Sequence, residues 1–128
     1  MATAEDNIQV ANVTTAGQLF HLLRRQMHRD VRKPLIVFTP KSLLRAKESR
    51  SAVSVLTNGK FEETMLDLAP PSEPTDLVFA TGKVAYDAMK RRTEVGAASV
   101  VTRVEQLYPW PHEQVGACLL YTSDAADE

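Results

Sequence analysis

One cysteine, Cys118, stands in 128 residues. No intramolecular disulfide can form, and no second thiol is present to join histidines in a metal-ligand cluster, so no structural metal is expected. Glycine is scarce at five residues, and none sits in the GxxxxGK(S/T) spacing that cradles a nucleotide's phosphates. Aromatic residues make up 6% of the chain and do not interleave with the basic ones. The stacking platform and motifs of a nucleic-acid binder are therefore missing. No apolar run approaches the roughly 18–20 residues of a membrane-crossing helix. Residues 1–7 are polar and acidic, unlike a secretory leader, so the expected setting is cytoplasmic, with no membrane and no nucleic-acid partner. No Ser-His-Asp or Cys-His grouping has a spacing that supports nucleophilic catalysis.

What is present suits a globular domain: 44% apolar and 24% charged residues, in a chain long enough for one core. The net charge of −1 hides a local imbalance. Between His21 and Arg50 there are nine Lys or Arg residues against Asp30 and Glu48. Such a cluster is either a solvated face or an attractor for an anionic ligand or partner.

The stretch 20–45, FHLLRRQMHRDVRKPLIVFTPKSLLR, carries most of the local signal. Residues 7–14 hold Ile8, Val10 and Val13 in a short β-branched strand pattern, and Thr14 or Thr15 can cap a helix. From Ala16 to about Arg29, Ala16, Leu19, Phe20, Leu23 and Met27 fall on one side at helical spacing, with Gln18, His21, Arg25 and His28 opposite. Leu35 to Phe38 is a continuous apolar run of the kind found in a parallel strand covered on both faces. Thr39-Pro40 stops it. Strand, helix and strand make a βαβ unit, which belongs to a parallel α/β sheet.

Residues 41–68 are less regular, with helical turns expected at 42–47 and 62–66 and a turn signal at Asn58-Gly59. The segment 69–75, APPSEPT, reads as an exposed connector. A second βαβ unit follows, with a strand over 76–81, a helix over 83–92 ended by Gly96, and a strand over 98–104. A further helix opens near Pro111.

Several positions carry possible chemistry. His21 lies off the apolar stripe, where a histidine is most often merely solvated. Its functional reading is a group that hydrogen-bonds or exchanges protons near neutral pH. Gly82-Lys83 follows a strand and opens a helix, a place that favours an anion, although a tight βα turn explains it too. Thr39 ends a strand at the carboxyl edge of the sheet, where a crevice can form. Arg103 and Glu105 share one face of a strand and can pair. The corner Tyr108-Pro109-Trp110-Pro111 suits a packing seam.

The strings AEDN, FHLLRRQ, PLIVFTPKSLLR, TGKVAYD and RVEQLYPWP, in that order over residues 4–117, resemble the E1 component of 2-oxoglutarate dehydrogenase. The resemblance implies residues 1–44 as the end of a transketolase-like pyrimidine-binding domain and 45–117 as the start of the family's transketolase-like carboxy-terminal domain. Both are α/β. It implies a parent enzyme that uses thiamine diphosphate and Mg²⁺ to decarboxylate 2-oxoglutarate in the tricarboxylic acid cycle. That enzyme, a homodimer, passes the succinyl group to a lipoyl-bearing E2 succinyltransferase and works with E3. His21 would face the substrate or the thiamine adduct, and Thr39 and Lys83 would be regulatory acyl-CoA ligands. The principal coenzyme ligands are expected outside this stretch, so the chain alone is expected to be an inactive fragment. An E1 for another 2-oxo acid, such as 2-oxoadipate, and a standalone anion or acyl-CoA binding module remain open. Residues 118–128, CLLYTSDAADE, are encoded residue for residue by a string resembling a DNA-library adaptor. A tail of that origin is the expectation there.

Overall fold

The computed structural model describes the backbone of residues 6–124 and side chains as far as Leu120. Strand β1 (Gln9–Asn12) leads through Thr15, whose extended backbone and hydroxyl, accepting from the Gln18 N–H, cap helix α1 (Ala16–His28). Strand β2 (Leu35–Phe38) returns parallel to β1, with Gln9 opposite Leu35 and Asn12 opposite Phe38. A 3₁₀ turn (Lys41–Arg45) and helix α2 (Val53–Asn58) then carry the chain to strand β3 (Thr64–Met65). Strand β4 (Asp76–Ala80), helix α3 (Lys83–Val95) and strand β5 (Ser99–Val104) form the second βαβ unit, β4 and β5 pairing in parallel. Strand β6 (Gln106–Tyr108) and helix α4 (His112–Asp124) follow.

The strands form two three-stranded sheets, ordered β2-β1-β6 and β3-β5-β4. Both βαβ units and their parallel pairs match expectation. The sheets are mixed, however, because β6 runs antiparallel to β1 and β3 antiparallel to β5. Glu105 alone separates β5 from β6, so the chain steps directly from one sheet into the other. Its carbonyl accepts from the Asn12 N–H at 2.8 Å and its N–H donates to the Glu63 carbonyl at 2.9 Å.

Four local expectations need correction. The turn expected at 62–66 is strand β3, since Thr64 and Met65 face Val104 and Arg103 in a ladder that outweighs local helical preference. Helix α2 occupies part of the irregular stretch, and Asn58-Gly59 is its end rather than a free turn. Strand β2 lies at a sheet edge, and among the described residues its Ile36 and Phe38 side remains open. Most consequential is the orientation of α1. Its buried residues are Gly17, Gln18, His21 and Leu22, whereas Phe20, Leu23 and Met27 are exposed.

The core of the first unit joins Ala11, Val13 and Leu22 to Phe61, with Leu19, Leu35 and Val37 packed against it. In the second, Ala85 of α3 and Val100, Val101 and Val104 of β5 are buried. Arg92 of α3 grips Asp67 through its Nη1 and donates to the Ser99 carbonyl at 3.1 Å. Gly96 ends α3 in the left-handed conformation (φ 66°), as the sequence indicated.

Candidate functional site

The inward face of α1 builds the site. Gln18 and His21 are one turn apart and nearly inaccessible, at 4% and 2% exposure. Burial of such groups requires partners, and both find main-chain ones. The Gln18 side chain donates from Nε2 to the Glu62 carbonyl at 2.5 Å and accepts from the Glu62 N–H at 3.0 Å, mimicking a strand neighbour. His21 Nε2 lies 2.7 Å from the Val55 carbonyl. A carbonyl only accepts, so Nε2 carries the proton there. These contacts explain why the polar stripe faces in: the segments it meets, α2 and residues 59–63, present backbone groups.

Two glycines permit the approach. A Cβ on Gly17 would sit 2.8 Å from Val55 Cγ1 and 2.9 Å from Ser51 Oγ; instead the Gly17 N–H donates to that hydroxyl at 2.8 Å. A Cβ on Gly59 would lie 2.4 Å from the Val55 carbonyl oxygen and 2.8 Å from His21 Nε2. Close packing of α1, α2 and the following loop thus fixes His21.

One turn beyond, the Arg25 guanidinium lies 4.2 Å from the Phe61 ring centroid. It donates to Glu63 at 3.1 Å and to Gln106 Oε1 at 2.6 Å. Burial, then the charge of Arg29, lower the Arg25 pKa, with Glu63 opposing. His21, Arg24, Arg25, His28, Lys60 and Phe61 line a cleft of about 380 Å³.

A second polar cluster joins the two βαβ units. Glu105 accepts from the Thr14 N–H at 2.8 Å and from the Thr14 hydroxyl. Arg103, 1% exposed, donates from Nη1 to Thr14 Oγ1 at 3.1 Å and to the Tyr86 hydroxyl at 3.0 Å. The expected Arg103 and Glu105 pair therefore meets through Thr14. Burial raises the Glu105 pKa, while Thr14, Arg103 and Gln18 pull against it.

The three residues singled out from sequence are not gathered into one place. His21 lines the basic cleft. Thr39 is exposed and lines a groove of about 140 Å³ with Val13, Thr15 and Leu43. Lys83, also exposed, lines a cleft of about 480 Å³ with Ser42, Leu43 and Tyr86, and pairs with Asp87 at 2.7 Å. Leu43 borders both of these last two. Sequence reasoning missed Lys60, Phe61 and the clamp role of Gln18. The available signal was a helix whose polar side holds Gln18, His21 and Arg25 at buriable spacing beside the glycine at 17.

Residues 50–126 match the family described as 2-oxoglutarate dehydrogenase C-terminal, and residues 1–47 match the transketolase pyrimidine binding domain. The chain is 47% identical over 117 residues to the 2-oxoglutarate dehydrogenase E1 component of Cupriavidus necator, covering 89% of this chain and 12% of that protein. To the protein of the same name from Azotobacter vinelandii it is 44% identical over 115 residues, covering 88% and 12%. To that of Brucella anthropi it is 46% identical over 121 residues, covering 84% and 12%. The chain thus spans about 12% of the length of these relatives.

Proposed function

The chain belongs to the 2-oxoglutarate dehydrogenase C-terminal family, and from that premise we propose that it is part of an E1 component that oxidatively decarboxylates 2-oxoglutarate in the tricarboxylic acid cycle. The supporting observation is identity of 44–47% to E1 components along 84–89% of the chain, with two adjoining family matches in order. The proposal includes thiamine diphosphate and Mg²⁺ in the whole enzyme, a cytoplasmic homodimer, and transfer of the succinyl group to a lipoyl-bearing E2 with E3 completing the complex. No described helix is long and apolar enough to cross a membrane.

The described residues do not fit the Mg²⁺ that accompanies that coenzyme. Among the described residues no three His, Cys, Asp or Glu side chains are grouped to hold a metal ion. Two buried carboxylates are already taken up, Glu105 by Thr14 and Asp67 by Arg92 and the Val101 N–H. This chain's proposed contribution to the reaction is His21, held by the Val55 carbonyl, as a contact to substrate or the thiamine adduct.

The test is turnover of the full-length protein carrying this sequence on 2-oxoglutarate and 2-oxoadipate. The expected result is preference for 2-oxoglutarate and a loss of about 10²-fold or more in kcat on His21→Ala. Preference for 2-oxoadipate would move the assignment to that acid, and absence of decarboxylation would overturn it. Thr39 and Lys83 are proposed as regulatory acyl-CoA ligands, since they line neighbouring clefts that share Leu43. Acetyl-CoA activation surviving Lys83→Ala would refute that role. Saturable acyl-CoA binding by a full-length protein with no turnover would favour the noncatalytic module instead.

A further inference from the structure

We infer that the basic cleft beside His21 binds an oxyanion, a carboxylate or phosphate group, through Arg24, Arg25 and Lys60. Three cationic side chains line this one cleft of about 380 Å³. Among the described residues the carboxylate paired with them is Glu63, on Arg25; none pairs with Arg24 or Lys60, both exposed. The local charge is therefore in excess, the condition under which an anion is attracted and held. A second, independent observation concerns Arg25 itself. Its Nη atoms are spent on Glu63, Gln106 and, at 3.4 Å, Gln9, and its ring-stacked position on Phe61 fixes the plane. Its Nε is buried with no partner. Nearly inaccessible there, that Nε leaves the Arg25 guanidinium as fixed positive charge beside the cleft rather than as a donor to a ligand.

The chemistry selects the ligand class. The guanidinium fork of Arg24 matches the paired oxygens of carboxylate or phosphate, and the ammonium of Lys60 adds a point charge to the same cleft. The volume admits a small organic acid rather than only a bare ion. The inference deepens the proposed function, on which it rests for the role of His21, because His21 lines the same cleft.

The test is titration of the 128-residue chain with inorganic phosphate and, separately, with glutarate, followed by amide chemical shifts. We expect saturable binding of at least one anion with a millimolar Kd, weakened about fivefold or more by Arg24→Gln and by Lys60→Gln. Both side chains are exposed, so the fold should survive. Arg91→Gln, on the exposed side of α3 beside Glu94, should leave the Kd unchanged. Glutarate alone binding identifies an organic acid site, and phosphate alone binding identifies a phosphate site. Absence of saturation by either anion up to about 50 mM, or equal weakening by Arg91→Gln, would overturn the inference. If that occurs while the full-length protein still turns over 2-oxoglutarate through His21, the enzyme reading stands. Anion binding with no turnover has the reverse meaning.

Discussion

Asp67 and Glu105 are two buried carboxylates that respond to their surroundings in opposite directions. Burial works against ionisation of Asp67, but the Val101 and Ala69 N–H groups and then Arg92 outweigh it and lower its pKa. A lowered native pKa contributes stability that is present above the unfolded value of about 3.9 and is lost as pH falls through the native one. Asp67→Asn should therefore cost about 1–3 kcal/mol at pH 7 and flatten the acid limb, as read from urea unfolding at several pH values. Glu105 has its pKa raised, by burial first. Its contribution is complete below about pH 4.3 and declines as pH rises through the native value. As pH rises from about 4.3 through that native value, the wild-type chain should lose stability relative to Glu105→Gln, which cannot ionise. Identical slopes for the two proteins in that window would refute this assignment.

At the scale of elements, α1 shows where sequence is informative and where it is not. The boundaries of α1, β2, α3 and β5 follow from local signals that the structure retains: Thr15 caps, Thr39-Pro40 interrupts and Gly96 turns left-handed. Which side of α1 faces inward does not follow, because hydrophobic spacing identifies an amphipathic helix without saying what it will meet. Gln18 and His21 are buried by backbone groups of Glu62 and Val55, more than 30 residues away in the chain. Strand β3 escaped notice for the same reason, since only its pairing with β5 makes two residues a strand. His21 was legible as a candidate from its position off the apolar stripe; Lys60 and Phe61, contributed by a distant loop, were not. Gly59→Ala tests the packing that unites them. Its Cβ would overlap a backbone carbonyl, so a loss of about 1–3 kcal/mol should accompany a shift of the His21 ring resonances. Unchanged resonances would show that α2 and its loop do not confine His21.

For the whole molecule, the inward polar face leaves an outward apolar one. Phe20, Leu23 and Met27 on α1, and Ile36 and Phe38 on β2, are 45–64% exposed. Apolar surface of that extent promotes association. The chain should self-associate with rising concentration, and Leu23→Glu combined with Met27→Glu should reduce light scattering without lowering Tm. Unchanged scattering would place the contact elsewhere. Polar side chains, more than core contacts alone, tie the two sheets together: Gln18 of α1 holds Glu62, just before β3, and Glu105, between β5 and β6, holds Thr14. The most direct measurement is native-state hydrogen exchange at the Thr14 and Glu62 amides. The structure predicts that both exchange as slowly as the paired amides of β5, and that Gln18→Ala releases Glu62 selectively while Thr14 stays protected. Exchange of both amides at the rate of an open loop in the wild-type chain would contradict it.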